Sequence, residues 1–181
     1  MESTEQIIEE YLRFVKKWFY LTDIKFKVPG NYSNIDLIAI ADIKDESYDI
    51  ESKFRSAYHF NIDEIKDITK QLLRKERQEK IKEFTKRKPI KVLVIYKECF
   101  GKEKTGKFQK LVKQFHKKIK RNGFKSEIWF IEDIIELLRA EIKKSGDKGR
   151  YDSAVLQTIR LINRSQDKAE KINNDGKIAR L

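Results

Sequence analysis

Residues 35–54 restrict the possible folds of this chain more than any other stretch. Ile35-Asp36-Leu37-Ile38-Ala39-Ile40-Ala41 is an apolar run of strand length, Asp42 to Glu46 is a polar turn, and Tyr48-Asp49-Ile50-Glu51-Ser52-Lys53-Phe54 returns as a second strand. A loop of Gly, Asn and Ser, Gly30 to Asn34, leads in. The pattern is a hairpin, and Asp36, Glu51 and Lys53 stand where a purely apolar hairpin would not carry charge.

Side-chain parity gathers those three groups. Glu51 and Lys53 are two apart on a strand and share a side, while Ile50, Ser52 and Phe54 take the other. Asp36 shares its side with Ile38 and Ile40, and a pairing register with an odd residue sum brings Asp36 onto the side of Glu51 and Lys53. Two carboxylates this close repel unless a cation joins them. Hard oxygen donors with room for water select Mg²⁺ or Mn²⁺. Such a site suits phosphodiester hydrolysis, with the lysine stabilising charge at phosphorus or orienting the nucleophile. The backbone carbonyl of Ser52, between the two strand residues, is a further candidate metal contact.

Around the hairpin the pattern is helical and basic. Ile7, Ile8, Tyr11, Leu12, Phe14, Val15, Trp18 and Phe19 predict an amphipathic helix from Thr4 to about Tyr20, and Ile24 to Val28 predicts a strand stopped by Pro29-Gly30. A long basic helix is expected from Asn61 or Asp63 to about Lys88. Lys91 to Tyr96 reads as the most buried strand, apolar on both faces, Gly106 to Asn122 as a second basic helix, Glu127 to Ile131 as a strand and Glu132 to about Lys144 as a helix. After the polar break at 145–149, a last helix spans about Tyr151 to Asn163, and its apolar stripe either packs on its own domain or forms a homodimer. This order predicts an α/β fold, a mixed central β-sheet flanked by helices, with residues 1–145 as one domain and 146–181 as a C-terminal helical extension.

Composition narrows the partners. The 41 Lys and Arg against 29 Asp and Glu give a net charge of +12, which favours a polyanion, nucleic acid first. A charged fraction of 39% also suits a heat-adapted surface of ion pairs, but that does not account for the excess of one sign. One cysteine, Cys99, excludes an internal disulfide, and with only His59 and His116 no Cys/His zinc site is expected. No apolar run approaches the roughly 18 residues of a membrane span, and the acidic start Met-Glu-Ser-Thr-Glu-Gln lacks a secretion signal's pattern. The expectation is a cytoplasmic protein with no membrane partner.

Gly30-Asn31-Tyr32-Ser33-Asn34-Ile35-Asp36-Leu37-Ile38-Ala39, followed by Glu51-Ser52-Lys53, resembles the PD-(D/E)xK nuclease superfamily. Ile35 stands where the motif's name has Pro. The motif covers only the hairpin, while the element order is similar to that superfamily's restriction-endonuclease-like core over roughly Thr4 to Lys144. The style is closest to small archaeal members, including Holliday-junction resolvases and restriction-type nucleases. The resemblance implies a metal-dependent endonuclease acting on DNA, branched DNA included, with Asp36 and Glu51 on the metal and Lys53 assisting the attacking water. Many members add a Glu from the first helix; Glu5, Glu9 and Glu10 are available and Glu9 is favoured. Arg55, Lys70, Gln71 and Arg74 are the candidate nucleic-acid contacts. The alternative is a nuclease-like module that binds nucleic acid or a protein partner without turnover. The G-x-x-x-x-G-K spacing of Gly101 to Lys107 imitates a phosphate-binding loop, but Phe108 replaces the required Ser or Thr, and a charged surface loop is the preferred reading.

Overall fold

A computed structural model describes residues 3–53, 60–101, 106–145, 151 and 153–165. Strands β1 (Phe19–Val28), β2 (Asn31–Ala41) and β3 (Glu46–Lys53) form an antiparallel meander. Strand β4 (Ile90–Ile95) lies parallel beside β3, and β5 (Ser126–Phe130) parallel beside β4, so the mixed sheet runs in the order β1-β2-β3-β4-β5. Gly30 turns β1 into β2 at φ 77°, a conformation open to glycine at little cost. A short 3₁₀ turn, Asp42–Lys44, with Asp45 left-handed at φ 51°, closes the second hairpin. The two parallel neighbours require crossovers, supplied by α2 (Ile62–Leu72) with α3 (Lys75–Lys82), and by α4 (Gly106–Arg121). Helix α5 (Ile131–Ser145) follows β5, and residues 154–165 form a last helix, α6.

Alternation along the strands divides the core. On one face Leu37, Ala39, Tyr48, Ile50, Val92 and Val94 pack with Ile8 of α1 (Ser3–Glu10), Leu12, and Ile134 and Leu138 of α5. On the other, Leu93 and Ile95 meet Ile65 and Leu72 of α2 and Leu111, Phe115 and Ile119 of α4, while Ile81 of α3 covers Phe26, Ile35 and Ile38. Tyr151, Leu156 and Ile159 join the first core, so α6 docks on the sheet domain with its apolar stripe, leaving Leu161 and Ile162 exposed. Among the described residues no helix is long and apolar enough to cross a membrane.

The architecture follows the expected α/β order with three corrections. The first helix is shorter than predicted: α1 passes into a π-helical turn, Tyr11–Lys16, which ends at Lys17 in a left-handed conformation, and β1 already begins at Phe19. The long basic helix from 63 to 88 is two helices. Asn61 caps α2, accepting from Asp63 N at 2.8 Å and Glu64 N at 3.1 Å while Glu64 accepts from Asn61 N. The chain then leaves helical geometry at Arg74 (φ −57°, ψ 134°), and Gln78 Nε2 donates to the freed carbonyl of Leu72 at 2.6 Å. The break re-aims α3 toward the sheet. Thirdly, β4 is not apolar on both faces, because Lys91 is fully buried in it.

Candidate active site

The β2–β3 register brings the charged residues of the hairpin together. Leu37 pairs with Ile50 and Ile38 with Asp49, an odd sum that extrapolates to Asp36 beside Glu51. Beyond Leu37 the backbone ladder stops and the Asp36 side chain takes over: its Oδ2 accepts from Ser52 N at 2.7 Å and from Ser52 Oγ at 2.8 Å. Its Oδ1 has no hydrogen-bond partner among the described residues.

Glu51 lies between two cations. Its Oε1 is 2.6 Å from Lys53 Nζ, and its Oε2 accepts from Arg77 Nη1, also at 2.6 Å. Arg77 continues inward, donating to Asp49 from Nη2 at 2.7 Å and from Nε at 3.1 Å. Asp49 also accepts from Lys91 Nζ at 2.7 Å, and Lys91 donates to Gln78 Oε1 at 2.7 Å. Asp49 and Lys91 are fully buried and Arg77 is 2% exposed. Charges so deep persist only when paired and hydrogen-bonded, and here each has at least two partners or a forked contact.

The electrostatics differ along this chain of groups. Burial pushes the Asp36 carboxyl up from its ordinary range, Glu51 pushes it further, and the Ser52 hydrogen bonds only partly offset this. Burial would also raise Asp49, but Arg77 and then Lys91 outweigh it and hold its pKa below the usual carboxylate value. Burial lowers the Lys91 ammonium against the opposing pull of Asp49. Burial likewise works against the Arg77 cation, yet Asp49 and Glu51 overcome it and keep the guanidinium firmly protonated.

Asp36, Glu51 and Lys53 open into a polar cleft of about 200 Å³. Ser33 and Asn34 of β2 form one wall with Phe26 of β1, and Gln71, Arg74 and Arg77 form the other. At roughly 30 Å³ per water, the space suits a phosphate group with a few waters. It is smaller than the roughly 300–1,000 Å³ of most organic-ligand pockets.

The predicted site residues are therefore partly assembled. Asp36, Glu51, Lys53, Gln71 and Arg74 meet at the cleft, and Ser52 fixes Asp36 through its N–H and hydroxyl. Lys70 is exposed on α2 and is absent from the cleft wall. Arg55 falls outside the described residues. Glu9 does not join the cleft: the Ile8, Tyr11 and Leu12 stripe packs on the opposite face of the sheet. There Glu9 is half-buried, its Oε1 lacks a hydrogen-bond partner among the described residues, and burial followed by Glu10 raises its pKa.

Asp49, Arg77 and Lys91 were not singled out from the sequence. Two signals existed. Asp49 has the same strand parity as Glu51 and Lys53, and Arg77 lies four residues before the buried Ile81, on the inward stripe of its helix.

A divalent ion fits the donor set. Asp36 has an uncommitted oxygen, and Glu51 is its neighbour across the strands, with its own two oxygens on Lys53 and Arg77. Mg²⁺ keeps several waters and commonly takes only one or two carboxylates. Among the described residues no group of three or more His, Cys, Asp and Glu is gathered for a metal, so any such site rests on these two carboxylates, backbone oxygen and water.

No family model and no curated protein matches this chain. Among solved structures it is similar to AF1548, a protein of unknown function, at 16% sequence identity and a TM-score of 0.47, over 88% of this chain and 78% of that one.

Proposed function

We propose that this protein is a metal-dependent nuclease that hydrolyses phosphodiester bonds in DNA, with Asp36 and Glu51 holding Mg²⁺ or Mn²⁺ and Lys53 as the catalytic cation. The observation that carries the reading is the meeting of Asp36, Glu51 and Lys53 in one phosphate-sized polar cleft. When bound, the ion supplies Lewis acidity toward a phosphoryl oxygen and an acidified water. Ser52 holds Asp36 with its Oδ1 free. Lys53 offers a positive donor toward charge developing on phosphorus or toward the attacking water. Gln71 and Arg74 present an amide and a guanidinium to a phosphate in the cleft.

The substrate's polymeric character is supported by α4. Lys110, Lys113, Lys117, Lys120 and Arg121 lie on the side opposite the buried Leu111, Phe115 and Ile119, and the helix contains no acidic residue. Such a stripe suits a phosphate backbone. DNA duplex and branched DNA are both within this reading.

The test is a panel of duplex, branched and single-stranded DNA with Mg²⁺ or Mn²⁺, run with wild type and with Asp36→Ala, Glu51→Ala and Lys53→Ala. Metal-dependent cutting lost in all three variants supports the assignment; cutting at the wild-type rate by any of them removes that residue from the mechanism. A second reading, a nucleic-acid-binding module without turnover, draws on the engagement of both Glu51 oxygens by cations. Calorimetry separates the two, because the module predicts no Mn²⁺ binding that Glu51→Ala abolishes.

A further inference from the structure

We propose that Arg77 is a positioning residue that fixes which oxygen Glu51 presents to the cleft. The proposal rests on the nuclease reading and extends it to a residue outside the hairpin motif. Glu51 has three side-chain torsions, so a strand position alone leaves its carboxylate free to rotate. Arg77 removes that freedom by holding Oε2 through Nη1, which leaves Oε1 on the side of the half-exposed Lys53.

Arg77 is itself held in place. Its Nη2 and Nε are on Asp49, Asp49 is on Lys91, and Lys91 returns to Gln78, the next residue of α3. Asp49 and Lys91 are direct neighbours in the β3–β4 register, so the clamp is anchored on the two central strands. The same Gln78 closes the helix break by bonding Leu72 O. The break between α2 and α3 and the buried pair are thus one connected arrangement, of which Arg77 alone touches Glu51. Outer hydrogen bonds of this kind orient a ligating carboxylate and are commonly worth about 10- to 100-fold in metal affinity.

A cluster that only stabilises the fold predicts something different, and three variants separate the roles. Arg77→Lys keeps the charge but lacks the planar fork that reaches both carboxylates at once. Gln78→Met disturbs the same cluster without touching Glu51. The triple variant Asp49→Leu, Arg77→Met, Lys91→Met replaces the buried charges together by apolar groups, a change that buried ion clusters often tolerate, and serves if Arg77→Lys does not fold. Mn²⁺ affinity by titration calorimetry and thermal midpoint are measured on each full-length protein, with kcat and KM at saturating Mn²⁺.

The expected result is a Mn²⁺ affinity about 10- to 100-fold weaker in Arg77→Lys and in the triple variant, with Gln78→Met binding Mn²⁺ as wild type does even where its midpoint falls. In Arg77→Lys the remaining loss at saturating Mn²⁺ appears in kcat, with KM for DNA unchanged. Wild-type Mn²⁺ affinity in both Arg77 variants overturns the positioning role and leaves the nuclease reading intact. A wild-type protein that neither binds Mn²⁺ nor cuts DNA overturns both.

Discussion

Helices α2–α3 and helix α4 are both rich in lysine and arginine, yet they use that charge in opposite ways. On α2–α3 three of the surface lysines have local acids, Lys66 with Asp63, Lys75 with Glu79 at 3.7 Å and Lys80 with Glu83, while Arg77 is drawn inside to Asp49 and Glu51. On α4, Lys110, Lys113, Lys117, Lys120 and Arg121 have no carboxylate partner among the described residues. A count of basic residues treats the two runs as equal. The acids interleaved with them decide whether the charge is neutralised, built into a site or left facing solvent as a field for a polyanion.

The largest expected effect concerns the inward side of this contrast. Arg77→Met leaves Asp49 and Glu51 without their guanidinium, and breaking a buried pair from one end costs about 3–5 kcal/mol. Denaturant unfolding checks this; a loss below about 1 kcal/mol would mean that the cluster behaves like a surface pair. Next comes the outward side. Removing three solvent-facing charges, in Lys110→Gln, Lys113→Gln, Lys117→Gln, is expected to reduce the slope of log DNA affinity against log salt by about 2.7, at roughly 0.9 per phosphate contact. Anisotropy with a DNA duplex in EDTA reads this without any cleavage. The matched triple Lys66→Gln, Lys75→Gln, Lys80→Gln is expected to change the slope by less than one contact's worth, and equal changes in both triples would erase the distinction between the helices.

The pH dependence sharpens the same comparison. The folded-state pKa of Asp49 is lowered, so its contribution to stability is present above the ordinary Asp range and is lost as pH falls through the lowered value. Thermal midpoints taken from about pH 6 down to about pH 2 should therefore fall more steeply for wild type than for the triple apolar variant of the cluster. Asp36 contributes with the opposite sign. Its raised pKa means that stability is lost as pH rises through the unfolded value toward the folded one, so Asp36→Asn should gain in midpoint relative to wild type at neutral pH. The smallest effect belongs to an exposed pair: Glu79→Gln on α3 is expected to change stability by no more than about 0.5 kcal/mol.

The legible parts of the molecule were those set by local pattern. Period-two alternation and the Gly30 and Asp42–Glu46 turns carried the hairpin, its register parity and the neighbourhood of Asp36, Glu51 and Lys53. The break at Arg74 left no local mark, because Arg, Lys, Glu and Gln all favour helix and the interruption is stabilised by a tertiary arrangement around Gln78 and Arg77. Lys91 was concealed for the complementary reason: within Ile-Lys-Val-Leu-Val-Ile it resembles the wet edge of a strand, and only the acid opposite it on β3 makes its burial possible. The place of Glu9 depended on which face of the sheet its helix covers, and helical periodicity gives a stripe but not the face it meets. Fold class and the meeting of the hairpin's charged residues were thus open to reading, while the groups that hold Glu51 from behind required the packed structure.

The central claim is that the hairpin carboxylates and Lys53 cut DNA with a bound divalent ion. Cleavage of a labelled DNA panel by wild type in Mg²⁺ and Mn²⁺, beside Glu51→Ala at matched thermal midpoint and matched DNA affinity, tests it most directly. The account predicts metal-dependent products from wild type and a rate lower by at least about 100-fold in the variant. Equal cutting by the two proteins, or no cutting by wild type on any substrate with either metal, would contradict it.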